Sequence, residues 1–151
     1  MKTERRSALK KMFASVAGLA GLGIAAKAVA SEEKTIGDVI NFQRAPMMSS
    51  HTKYGNLLFL SGRGGYGGEP FTIENHTDIA LKLLEEELIK AGSSMEKCLK
   101  ATVYLTDIEN LNGMNATYQG RFGANPPARS TVSVTGMPGN SLVQIDVIAY
   151  V

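Results

Sequence analysis

The sequence predicts an α+β domain: a mixed β-sheet with two helices packed on one of its faces. Three observations carry this. Two segments have apolar residues at helical spacing, the final strands alternate apolar and polar residues, and the elements run strand, strand, helix, strand, helix, strand, strand. The 151 residues suit one domain, and 44% hydrophobic content is enough to build a core.

Before that domain stands a leader. In "ERRSALKKMFASVAGLAGLGIAAKAVASEE" a basic region ends at Lys11, and a weakly apolar stretch runs from Met12 to Ala26. Ala28-Val29-Ala30 then forms a small-x-small cleavage signal. The apolar run is shorter than the roughly 20 residues of a membrane span. Paired Arg5-Arg6 followed by Leu9 and Lys10 resembles a twin-arginine export signal, although Glu4 and Ala8 depart from its usual pattern. The expectation is an export signal over 1–30, a domain over 31–151, no stable membrane anchor and a periplasmic or otherwise exported protein.

Charge follows the same division. Six of the sixteen Lys and Arg lie in the first 30 residues with one acid, Glu4. Residues 31–151 therefore carry ten basic and thirteen acidic side chains, net −3. A body of that charge, without Trp, is a poor partner for nucleic acid. One cysteine, Cys98, excludes an internal disulfide and a multi-cysteine metal site; His51 and His76 are too far apart in sequence to suggest a metal pair.

Along the domain, "IGDVINF" reads as a short strand and "RAPMMSSHTKYGN" as loop. Tyr54-Gly55-Asn56 turns into the strand "LLFLS". "GRGGYGGEP" follows, a glycine-rich connection that lacks the Gly-Lys-Ser/Thr of a phosphate loop. A helix is predicted over Ile73 to Ala91, with Ala80, Leu83, Leu84, Leu88 and Ala91 as its apolar face and Gly92 as its stop. Glu85-Glu86-Glu87 fans around that helix and reads as solvated, and His76 in its first turns reads as exposed. "LKATVYL" reads as a buried strand, with Cys98 beside it a packed thiol. The second helix lies in "TDIENLNGMNATYQGRFG", with Thr106 and Glu109 as a capping box, Gly123 as its end and Leu111, Met114, Tyr118 and Phe122 as its core stripe. Asn75 and Asn115 begin glycosylation triplets, which are frequent by chance and here fall on predicted helices.

The last strands, "RSTVSV" and "LVQIDVIAYV", define two faces. Alternation predicts Val132 and Val134 toward the helices and Arg129, Thr131 and Ser133 away from them. Val143, Ile145 and Val147 likewise oppose Gln144 and Asp146. A mixed second face of this kind predicts contact with another subunit. Arg129, after Pro126-Pro127-Ala128, is either a solvated strand-end charge or an anion holder.

"GNLLFLSG", "AGSSMEKCLKATVYLTDI", "MNATYQGRF" and "NPPARSTVSV…LVQIDVIAYV", in this order, resemble the Rid family. These are YjgF-type reactive intermediate deaminases, also labelled L-PSP endoribonucleases. The resemblance runs from about Ile40 to Val151. It implies a chorismate-mutase-like fold, a homotrimer with clefts between subunits, and hydrolysis of 2-imino and 2-enamino acids such as 2-aminoacrylate to keto acids and ammonia. It implies no metal and no cofactor. The arginine of the family's P-x-R-[ST] stretch, here Arg129, binds the substrate carboxylate. Ser61 and Gly62 match a cleft-lining pair, Asn115 an asparagine near the cleft, and Thr131 a small polar or Cys position. A gapless count places Met48 where deaminating members carry a Tyr. The family's water-positioning Glu corresponds to Gln144, which can orient water but cannot take a proton. Asp146 lies about 6–7 Å further along the same strand face. The resemblance favours a deaminase; Gln144 and the export signal keep open a non-catalytic binder of small carboxylates. RNA cleavage, from the older label, fits poorly with the −3 body.

Overall fold

The computed structural model describes residues 33–151; the export-signal expectation falls on residues outside these. Eight strands and two α-helices are present among the described residues. Strands β1 (Thr35–Ile36), β4 (His51–Tyr54), β5 (Leu57–Gly64), β6 (Cys98–Leu105), β7 (Ala128–Ser133) and β8 (Val143–Tyr150) form one sheet, ordered β1-β4-β5-β8-β6-β7. Strands β2 (Val39–Phe42) and β3 (Ala45–Ser49) form a separate hairpin. The helices are α1 (Ile73–Lys90) and α2 (Leu111–Tyr118).

Topology explains the helices' positions. β8 pairs antiparallel with both β5 and β6, so β5 and β6 run parallel, and α1 makes the crossover that parallel strands require. The parallel pair β6–β7 uses α2 in the same way. The expected α+β domain is therefore present. Val143, Ile145, Val147 and Ala149 of β8 join Leu58, Leu60, Ala101, Val103 and Leu105 in a core shared with both helices.

Helix α1 begins where Thr72 Oγ1 accepts the Asn75 N–H at 3.3 Å, and Gly92 follows its cap at φ 81°. Its buried stripe comprises Ile73, His76, Thr77, Ala80, Leu81, Leu84, Glu87 and Leu88. Three expectations are corrected here. Leu83 is exposed and Leu81 takes its place in the core. His76 is 1% exposed. Its Nδ1 accepts the Leu142 N–H at 3.1 Å, so Nε2 carries the proton and donates to the Gly68 carbonyl at 3.2 Å. This neutral imidazole ties the glycine-rich segment and the start of β8 to α1. Gly65 permits that contact, because a Cβ there would lie 2.4 Å from His76 Cα.

Glu87 is the third. It is 4% exposed, accepting from His51 Nδ1 at 2.7 Å and from Arg63 at 3.1 Å. The cluster joins β4, β5 and α1. Helical geometry fans the three glutamates apart as expected, and the same geometry turns Glu87 inward beside Leu84 and Leu88.

Other differences concern ends and turns. Part of the expected loop 44–56 is β3 and β4, and β5 continues through Ser61 and Gly62 to Gly64. The β2–β3 turn is Gln43-Arg44, both at positive φ (48° and 65°), so the usual Asn-Gly signal for such a hairpin is missing. Thr106 donates to the Leu142 carbonyl at 3.4 Å instead of capping; Asp107 accepts the Glu109 N–H at 3.0 Å and opens a 3₁₀ turn, Ile108–Asn110, ahead of α2. Helix α2 ends at Tyr118, with Gly120 at φ 80° beyond it, well before Gly123.

Burial raises the Glu87 carboxyl's pKa, but the nearby Ser50 hydroxyl, the His51 hydrogen bond and the Arg63 charge outweigh it, holding the pKa below the ordinary carboxylate value. A depressed native pKa contributes stability above the unfolded pKa, lost as pH falls through the carboxylate range. Glu87→Gln is expected to cost about 3 kcal/mol at pH 7 by leaving buried donors uncompensated. In urea melts, its deficit relative to wild type should shrink below the ordinary glutamate value of 4.5; a deficit independent of pH would contradict this.

Candidate functional site

Sheet register decides which candidate residues can meet. In the parallel β6–β7 pair, Ala101, Val103 and Leu105 stand beside Arg129, Thr131 and Ser133. The three β6 residues are buried under the helices, so Arg129, Thr131 and Ser133 project to the helix side. Val132 stands beside Tyr104 on the open face and is 44% exposed. The predicted parity of this strand is thus reversed. β7 is an edge strand at the margin of the helical layer, so its helix-side positions are not all core.

Arg129 lines a depression of about 640 Å³ with Asn115, Tyr118, Gln119, Phe122 and Pro126. Its guanidinium carbon lies 4.8 Å from the Tyr118 ring centroid, a cation–π contact. No acidic side chain pairs with it among the described residues. Close by are three buried polar atoms without hydrogen-bond partners: Asn115 Oδ1, Tyr118 Oη and Thr131 Oγ1. Burial pushes the Tyr118 hydroxyl up to about 12, against the opposing Arg129 charge, so it is a neutral phenol at pH 7. A free cation with the unpaired Tyr118 and Thr131 hydroxyls beside it can hold an anion that also takes hydrogen bonds, and the Asn115 amide oxygen can accept from an N–H or O–H of the same ligand.

Gln144 lies on the other side of the sheet. It pairs with Tyr104 and shares a second depression, about 180 Å³, with Tyr104, Val134, Met137 and Pro138. Gly62 packs on the Gln144 amide, where a Cβ would come 2.4 Å from Nε2. Tyr66 Oη donates to Gln144 Oε1 at 3.5 Å. Ser61 spends its hydroxyl on the Ser49 carbonyl at 2.7 Å, joining β5 to β3. Asp146 is on the same sheet face, in a separate hollow with Phe59, Lys100, Thr102 and Ile148. Met48 is in neither depression: it is exposed on the hairpin, opposite Ile40 and beside Ile36, Val39 and Met47.

The candidates therefore fall into two groups. Arg129, Asn115 and Thr131 stand together on the helix side; Gln144 and Gly62 stand together on the open side. Tyr118 and Tyr66, which no sequence motif marks, stand against these two groups, Tyr118 at Arg129 and Tyr66 at Gln144. Tyr118 follows Asn115 by three helical positions, which places both on one side of α2, but its apolar neighbours Met114 and Phe122 mark it as core. His51 lies in neither group and pairs with Glu87. Among the described residues, no three His, Cys, Asp or Glu side chains are grouped to hold a metal, and no helix is long and apolar enough to cross a membrane.

Residues 42–151 match the family model described as Endoribonuclease L-PSP. The chain belongs to this family, which includes the YjgF and Rid proteins. A chloroplastic protein of Arabidopsis thaliana named Reactive Intermediate Deaminase A is 31% identical over 141 residues, covering 86% of this chain and 71% of the relative. A RutC family protein of Pyrococcus horikoshii is 34% identical over 124 residues, covering 75% and 97%. Among solved structures, a Rid family protein of unknown function from Yersinia pestis superimposes with TM-score 0.70 at 31% identity, covering 79% of this chain and 100% of that one.

Cys98 is buried, and burial alone pushes its thiol up to about 12. Iodoacetamide at pH 8 should leave native protein unmodified and alkylate it fully in denaturant. Rapid labelling of the native state would contradict the packed-thiol assignment.

Proposed function

We propose that this protein hydrolyses 2-imino and 2-enamino acids to 2-keto acids and ammonia in clefts between copies of the chain. One observation carries the reading: Arg129, with the unpartnered Asn115, Tyr118 and Thr131 atoms, lies on the opposite sheet face from Gln144 and Gly62. One protomer thus holds two half-sites, and a closed ring of protomers brings each half to its complement. A homotrimer is the assembly we assign. The open face supports such packing, with exposed Leu57, Phe59, Val132 and Tyr150.

The chemistry follows from the residues. A 2-imino acid carries a carboxylate, and the Arg129 guanidinium grips it through two parallel hydrogen bonds, worth about 1.5–3 kcal/mol when sheltered. The clamp fixes the imine carbon in position, and Gln144 orients water toward it. Nothing in this scheme requires a metal or an organic cofactor. We further assign the leader over 1–30 as an export signal, placing the domain outside the cytoplasm.

A second reading is a non-catalytic binder of small carboxylates in the same cleft. The Gln144 amide favours it, because an amide cannot carry a proton between water and nitrogen. RNA cleavage is disfavoured by the −3 charge over 31–151.

Ammonia release from freshly generated 2-aminoacrylate separates these readings. Wild type should accelerate it, and Arg129→Ala should lower kcat/KM about 30-fold, near 2 kcal/mol of lost carboxylate binding. Wild type no faster than Arg129→Ala, together with calorimetric pyruvate binding that depends on Arg129, would leave the binder as the correct reading.

A further inference from the structure

We infer that Tyr66 is the proton carrier of this site, acting beside Gln144. The inference rests on the deaminase reading above. Imine hydrolysis needs a group that can give and regain a proton near the attacking water. The Gln144 amide lacks one, whereas the Tyr66 hydroxyl has one and contacts Gln144 Oε1 at 3.5 Å. That contact is long, as such contacts commonly are before a ligand tightens them.

The surroundings are shaped for this pair. Tyr66 belongs to the glycine-rich segment after β5, and its ring lies in a slot between two glycines. A Cβ on Gly139 would come 2.4 Å from Tyr66 Cδ1, and one on Gly64 would come 3.1 Å from Cζ. Gly62 completes the clearance by making room for the Gln144 amide. Tyr66 is 45% exposed, so a substrate held in a neighbouring copy can approach the hydroxyl at the far end of the ring. The rest of the loop is anchored: Gly65 N–H donates to Ser141 Oγ at 2.8 Å and Gly68 is held by His76. These glycines thus hold a phenol in place.

The step balances as follows. Water oxygen bonds to the imine carbon while the C=N π pair moves to nitrogen. Nitrogen takes the Tyr66 proton, and the phenolate regains one from the bound water. A second passage breaks the C–N bond: its electron pair leaves on nitrogen, which takes another proton. The carbinol hydroxyl closes to a carbonyl and returns its proton to the tyrosine. Imino acid and water become keto acid and ammonia, and the phenol ends unchanged.

The test uses the full chain, 2-aminoacrylate generated in the assay as substrate, and pyruvate binding by calorimetry. Tyr66→Phe should lower kcat at least about 10²-fold while KM and pyruvate affinity stay within roughly twofold. Adding Gln144→Glu should restore much of that loss, because a carboxylate then carries the proton. A kcat for Tyr66→Phe within about threefold of wild type, with kcat/KM of Arg129→Ala lowered about 30-fold, overturns the inference and leaves the deaminase reading standing. Loss of pyruvate binding together with kcat, without rescue by Gln144→Glu, also overturns it, since the ring would then only hold the loop. Absence of turnover in wild type overturns both.

Discussion

The insertion of β8 between β5 and β6 is the constraint on which the rest of the structure depends. The chain builds two parallel crossovers and then places its last strand antiparallel between them, with Val147 beside Leu60 and Ala101. A strand repeats every two residues, so a slip of one would move Val143, Ile145, Val147 and Ala149 out of the core and bring Gln144 and Asp146 in. The register is therefore set by burial. Gln144 owes its place on the open face to its apolar neighbours in sequence. Contacts at either end reinforce this: Leu142 N–H is held by His76, and Ser93 donates to the Tyr150 carbonyl at 2.6 Å.

The same division into faces gives the candidate site its form. On the helix side, edge strand β7 carries a guanidinium stacked on Tyr118, with unsatisfied polar atoms around it. On the open side the Gln144 amide lines a second hollow, and the Tyr66 phenol contacts that amide with three glycines packed against the pair. Sheets keep their two faces apart, so neither half can reach the other within one protomer. On the proposed function this arrangement makes catalysis depend on assembly, and it relates the unsatisfied polar atoms to the exposed apolar side chains as surfaces available to a neighbouring copy.

Much of this was legible in the residues. Apolar spacing located both helices, and alternation in β8 was strong enough to assign its faces. Arg129 drew notice as a charge after two prolines, on a strand otherwise built to pack. Other features depended on tertiary context. The valines of β7 suggested that Arg129 faced away from the helices, but β7 is an edge strand at the margin of the helical layer, and Val132 is left on the open face. Glu87 and His76 read as solvated because carboxylates and imidazoles usually are; each is buried with partners outside its own helix, Arg63 and His51 for one, Leu142 and Gly68 for the other. The β2–β3 hairpin escaped because Gln43-Arg44 adopts positive φ without the residues that normally announce it.

The central claim is that the site is built from two chains, and mixing variants tests it most directly. Arg129→Ala removes one half-site and Gln144→Ala the other, so each oligomer alone should hydrolyse 2-aminoacrylate poorly. In heteromers formed by co-expression, a cleft is intact when its Arg129 comes from one variant and its Gln144 from the other. Random assembly makes about one quarter of clefts intact, and activity should recover to about that fraction of wild type. Heteromers no more active than the average of their parents would place the two residues in separate sites and contradict the account.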